Sequence, residues 1–117
     1  DAAFVPMASI VATFELYDSV RLVFFNTCHS FNQAAACTQY VDAAIGMNQS
    51  IGDEAARVFS AQFYSAIGFG CSIPAAFKQA KTALMLEGIS EESTPELYLR
   101  DGVDESDLIL VKPRAQL

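Results

Sequence analysis

The run Val20-Arg21-Leu22-Val23-Phe24-Phe25 limits the folds open to this chain more than any other feature. It is apolar except for Arg21, and mostly β-branched or aromatic, so it reads as a strand apolar on both faces. Such a strand needs helices above and below it and neighbours on its edges. That requirement points to a sheet enclosed by helices rather than a half-solvated antiparallel one.

The residues downstream supply candidates for the cover. Ser30 is suited to cap a short alanine-rich helix over residues 31–38. Residues 40–47 read as a second strand. A long helix opens at Gly52 or Asp53 and runs to about Ile67, with Ala55, Phe59, Phe63 and Ile67 at three-to-four spacing. Gly68 and Gly70 stop it. Ser72 and Pro74 open the next helix, which ends near Glu87 and Gly88. Leu97-Tyr98-Leu99 gives a short strand, Asp101-Gly102 a turn, and residues 108–111 a last strand closed by Pro113. Upstream, Met7, Ile10, Val11, Phe14 and Leu16 or Tyr17 recur at helical spacing behind Pro6. Helices alternating with short apolar strands define an α/β fold, a three-layer sandwich around a small, mainly parallel sheet.

At 117 residues the chain is one domain, residues 1–117. With 52% hydrophobic and only 18% charged residues it is too apolar for a disordered chain. Its longest apolar runs fall far short of the roughly 20 residues a bilayer requires, so no membrane partner is expected. No basic region followed by an apolar stretch opens the sequence as a secretory signal would. Seven basic residues against 14 acidic ones, a net charge of −7, argue against nucleic acid. The acids crowd the last third, from Glu87 to Asp107, as a solvated surface. Cys28, Cys37 and Cys71 cannot all pair with one another, and no spacing suggests zinc. Reduced thiols in a cytoplasmic protein, with no metal and no cofactor, are the expectation.

Chemistry concentrates at Cys28. It follows the apolar strand directly, and ligands of open α/β sheets gather at the carboxyl ends of strands. A cysteine before a helix start has its thiolate stabilised by backbone N–H groups. The competing reading is a buried packing thiol. Cys37, on the alanine-rich helix, and Cys71, behind a glycine pair, have no accompanying base and read as packing residues.

The segment Val23-Phe24-Phe25-Asn26-Thr27-Cys28-His29-Ser30 resembles the nucleophile segment of caspase-like cysteine peptidases, and most of all the bacterial CHAT group. There a hydrophobic strand leads into Asn, a small residue, Cys, any residue and Ser. The resemblance extends through residues 40–47, Gly52-Asp53-Glu54-Ala55-Ala56, Phe63-Tyr64, Gly68, Gly70, Ser72 and Ala75-Ala76-Phe77, covering about residues 20–88. It implies a caspase-type sandwich, here truncated, and peptide-bond hydrolysis through a thioester on Cys28. It also implies that Asp53 lines the pocket for an Arg or Lys side chain of the substrate. Against this, Ser50-Ile51-Gly52-Asp53 reads as a helix-capping arrangement, and Asp in a first helical turn is favoured by the helix dipole.

The family's general-base histidine lies on a strand several tens of residues before the cysteine. Only 27 residues precede Cys28 here, and none is histidine. His29, the only histidine, is adjacent to Cys28 in sequence and poorly placed to take its proton. The resemblance therefore implies half of a catalytic site, inactive alone. It acts on a protein or peptide substrate only when a histidine arrives from another segment. The alternatives are a catalytically dead homo-oligomeric interaction module and a thiol activity of Cys28 alone. Homo-oligomerisation is expected through residues 1–17 and the uncovered part of the sheet.

Overall fold

A computed structural model describes residues 20–25 and 29–111. The expected helix over residues 7–17, Cys28 itself and Pro113 lie outside the described residues. Within them the order is β1 (Leu22–Phe24), α1 (Phe31–Cys37), β2 (Ala43–Met47), α2 (Asp53–Gly68), α3 (Ile73–Leu86), β3 (Pro95–Leu99) and a single 3-10 turn, Glu105–Leu108. The chain has the expected α/β character.

The sheet runs β1-β2-β3. β1 pairs parallel with β2, Val23 opposite Ala44. β3 pairs antiparallel with β2, Tyr98 opposite Ala44. The sheet is therefore mixed rather than mainly parallel. The reason is length: only the short link 87–94 separates α3 from β3. α3 has already returned the chain to the carboxyl end of β2, where an antiparallel strand can start at once and a parallel one cannot.

Side chains alternate between the two faces as a pleated strand requires. Leu22, Phe24, Ala43, Ile45 and Leu97 meet α2 and α3, among Phe59, Phe63, Ile73 and Leu84. Val23, Phe25, Ala44 and Tyr98 meet α1, among Ala34, Cys37 and Val41. The apolar run 20–25 thus does what its composition demands, with helical cover on both faces. Every residue of β2 is buried, whereas β1 is half-buried throughout. Among the described residues β1 is an edge strand.

Local stops and starts follow the sequence in most places. α2 ends in a left-handed glycine, Gly70 at φ 93°, with Cys71 N–H donating back to Ala66 O at 3.1 Å. α3 begins as expected, with Ser72 Oγ accepting from Ala75 N–H at 3.2 Å and Pro74 in the first turn. Strand β2 starts at Ala43, not Tyr40, because Tyr40 and Val41 both donate to Cys37 O and complete the turn leaving α1.

The strand expected over residues 108–111 does not form. Leu108 closes the 3-10 turn and is buried in the α2/α3 cluster, against which Leu110 also packs. Two contacts draw this segment away from the β3 edge. Ser72 Oγ donates to Glu105 Oε2 at 2.9 Å, and the Arg21 guanidinium donates to Asp107 O. Anchored between the start of α3 and the start of β1, the segment has no strand to pair with. No helix among the described residues is long and apolar enough to cross a membrane.

Candidate functional site

Parallel pairing sets the polarity of the molecule. β1 and β2 both point their carboxyl ends the same way, so the β1-to-α1 turn and the β2-to-α2 loop lie at one end of the sheet. Cys28 belongs to the first of these connections by sequence and lies outside the described residues. Asp53 opens α2 at the end of the second.

The turn that carries Cys28 has described residues on both sides. Phe25 N–H donates to Ile45 O at 2.9 Å and continues the β1 ladder. His29, beyond the turn, is exposed and has φ 56°, the one positive φ outside glycine among the described residues. Histidine is one of the residue types that tolerates this left-handed region better than most, and such a residue turns the chain sharply. Ser30 then enters α1.

Ser30, suited by residue type to cap a helix, does something else. It occupies the N-cap position of α1, but its side chain makes no capping bond. Ser30 is 1% exposed, and its hydroxyl accepts from Met47 N–H at 2.9 Å and donates to Phe25 O at 3.3 Å. One buried hydroxyl thus joins the ends of β1 and β2 across the base of the turn. Gly46 lets it do so. A Cβ there would lie 2.8 Å from Ser30 O and 2.8 Å from the Ala34 Cβ, so only glycine lets α1 come this close to β2.

The second connection is tied to the link before β3. Asn48 Nδ2 donates to Ser93 O at 2.8 Å, and Gln49 Nε2 donates to the buried Thr94 Oγ1 at 3.1 Å. The N-cap of α2 is Gly52, without a side-chain cap of its own. Its N–H donates instead to Glu91 Oε1 at 2.9 Å. Ser50 does not cap the helix, so the local capping arrangement read from Ser50-Ile51-Gly52-Asp53 is replaced by a carboxylate from 39 residues away. Asp53 and Glu54 are exposed in the first turn, where the helix field favours negative charge.

The other two thiols are packing residues in this fold. Cys37 is buried among Ala34, Val41 and Ala44, and burial raises its thiol above the ordinary range. Cys71 is half-buried against the larger cluster and accepts a hydrogen bond from Gln79 Nε2 at 3.5 Å. Both are free of disulfides. Among the described residues no group of three or more His, Cys, Asp and Glu could hold a metal ion.

The far end of the sheet is built differently. Asp42, just before β2, accepts from Arg21 Nε at 3.0 Å and lies 3.7 Å from Arg100 Nη1. Arg100 Nη2 also donates to Gln39 O at 2.9 Å. One carboxylate thus gathers the arginine just before β1 and the arginine just after β3. Sequence reasoning missed this cluster, the Glu91 bond and the Ser30 bridge, since each joins residues far apart in the chain. The chain matches no protein-family profile and no curated protein.

Proposed function

We propose that the chain is the cysteine-bearing part of a caspase-like, CHAT-type peptidase domain, with Cys28 at the nucleophile position and the general-base histidine supplied by another segment or chain. In that chemistry the Cys28 thiolate attacks a peptide carbonyl. The amine leaves with a proton from the histidine, and water then hydrolyses the thioester. Asp53 and Glu54, exposed in the first turn of α2, would favour a substrate with an Arg or Lys side chain before the cut.

The observation that carries the reading is the β1–turn–α1–β2 unit. Its turn, bounded by a left-handed His29 and by the Ser30 bridge, leaves β1 at the carboxyl end of a parallel pair. This is the position at which open α/β sheets carry their ligands. The edge of β1 that is open among the described residues adds support, because a further parallel strand bearing the missing base would pair there.

The test is the pH profile of alkylation at each thiol, read by mass spectrometry. Cys28 is expected to react with iodoacetamide at pH 6, ahead of Cys71, while Cys37 stays unmodified in the folded protein. Reaction at Cys28 only as fast as at an ordinary thiol, or slower than at Cys71, overturns the reading. The chain alone is expected to give no turnover of fluorogenic Arg, Lys or Asp peptides. Turnover lost in Cys28→Ala would show that the base is already present, and its loss in His29→Ala would identify that base.

A further inference from the structure

α2 and α3 have a second shared surface, on the side away from the sheet. Val58, Ala61 and Gln62 of α2 and Lys78, Ala83 and Leu86 of α3 line two adjoining hollows of about 510 and 450 Å³. Gln62, Ala83 and Leu86 border both, so they form one groove. On α3 its lining runs from Ala75 to Leu86, about 16 Å of helix. Its floor is largely apolar, and Leu86 is 82% exposed.

The groove carries one charge of each sign, Lys78 in the first hollow and Glu87 in the second. Among the described residues, Arg21 and Arg100 share Asp42, while Arg57, Lys78 and Lys81 form no ion pair. All three lie on α2 or α3, but only Lys78 lines the groove.

We propose that this groove receives residues 7–17 of a second copy of the chain. Met7, Ile10, Val11 and Phe14 form one apolar stripe at helical spacing, and as a helix this segment would extend about 16 Å, the length of the groove. No Lys or Arg occurs before Arg21, whereas Glu15 supplies an acid to face Lys78. The donor is a second copy because of reach. Only Asp18 and Ser19 separate Tyr17 from Val20, which allows about 10 Å of extended chain. A helix lying outside α2 and α3 would sit about 20 Å from the plane of β1, one helix layer beyond another. Reciprocal exchange of the segment closes a two-fold dimer. The proposal makes no use of Cys28 and stands or falls separately from the peptidase reading.

The experiment is sedimentation and light scattering of the full chain at micromolar concentration, with circular dichroism melts alongside. The expected mass is twice 12.7 kDa. Leu86→Glu, at an exposed position, and Ile10→Glu should each give a monomer with an unchanged melting temperature at low concentration. Lys78→Glu should weaken the dimer about fivefold, and Glu15→Lys in the same chain should restore it. A monomeric wild type, or a dimer indifferent to Leu86→Glu, overturns the proposal. A dimer lost in Val23→Pro but kept in Leu86→Glu would assign the contact to the edge of β1 and also overturn it. A lowered melting temperature in Ile10→Glu would mean that the segment covers its own copy, which equally overturns the exchange.

Discussion

The two faces of the sheet are filled by opposite means. On the α2/α3 face the space is taken up by volume: Phe24 lies edge-on to Phe59 and Phe63 at centroid distances of 5.8 Å, and Phe77 packs edge-on to Phe59 at 5.6 Å. On the α1 face it is taken up by approach. Ala34, Ala44 and Gly46 are small, and the helix backbone lies almost on the strand. A seven-residue helix has too few side chains to build a large core, so it gains contact by coming close. One face is thus sensitive to the loss of atoms and the other to their gain.

Substitutions can break this contrast in order of size. Phe59→Ala removes the ring shared by the aromatic cluster and should cost about 3–5 kcal/mol in urea unfolding. A loss below about 1 kcal/mol would mean that the α2/α3 face tolerates voids. Gly46→Ala adds a single methyl group on the other face and should cost about 2–3 kcal/mol. Ala34→Gly in the same chain should recover only part of this, since Ser30 O remains 2.8 Å from the new carbon. Full recovery would mean that the Ala34 methyl alone limits the approach. Ser30→Ala strands the Met47 N–H in a buried place and should cost about 1–2 kcal/mol, with faster hydrogen exchange at Met47.

The smallest effect is a pH dependence. Burial holds the Cys37 thiol above its ordinary 9.0. The folded state therefore disfavours the thiolate, and stability present below that pH falls as the pH rises through it, because the unfolded chain ionises first. Tyr64, on the α2/α3 face, is likewise raised by burial, but from 10.0, and Tyr98 on the α1 face is raised from the same value by burial and by Glu96. Between these two pH values the wild type should lose stability relative to Cys37→Ala, measured by urea unfolding at each pH. Parallel curves would remove Cys37 from the account.

Much of this architecture was legible in order along the chain. The apolar run 20–25 announced cover on two sides, and glycine, serine and proline marked the helix ends near Gly70 and Ser72, because these signals act within a few residues. What escaped was whatever depends on residues meeting from a distance. Ser30 looks like a cap from its neighbours, yet Met47, 17 residues on, claims its hydroxyl. Leu108, Leu110 and Val111 have strand-like composition, but where that segment lies is decided by Ser72 and Arg21. At the candidate site, the position of Asp53 in a first helical turn was readable from the local pattern. The carboxylate that tops that helix was not, since nothing near Gly52 in sequence points to Glu91.

The gathering of Arg21 and Arg100 on Asp42 makes the two ends of the sheet respond differently to ionic strength. The end away from the β1-to-α1 turn is closed by half-exposed charges, which dissolved salt screens. The other end is held by Ser30, Asn48, Gln49 and Thr94, all neutral, together with the single carboxylate of Glu91. Added salt therefore loosens the strands from the Asp42 side first. The carboxyl ends of β1 and β2, joined through Ser30, stay anchored while the opposite end frays, and the bonds that hold them are largely insulated from the electrolyte in which the protein works.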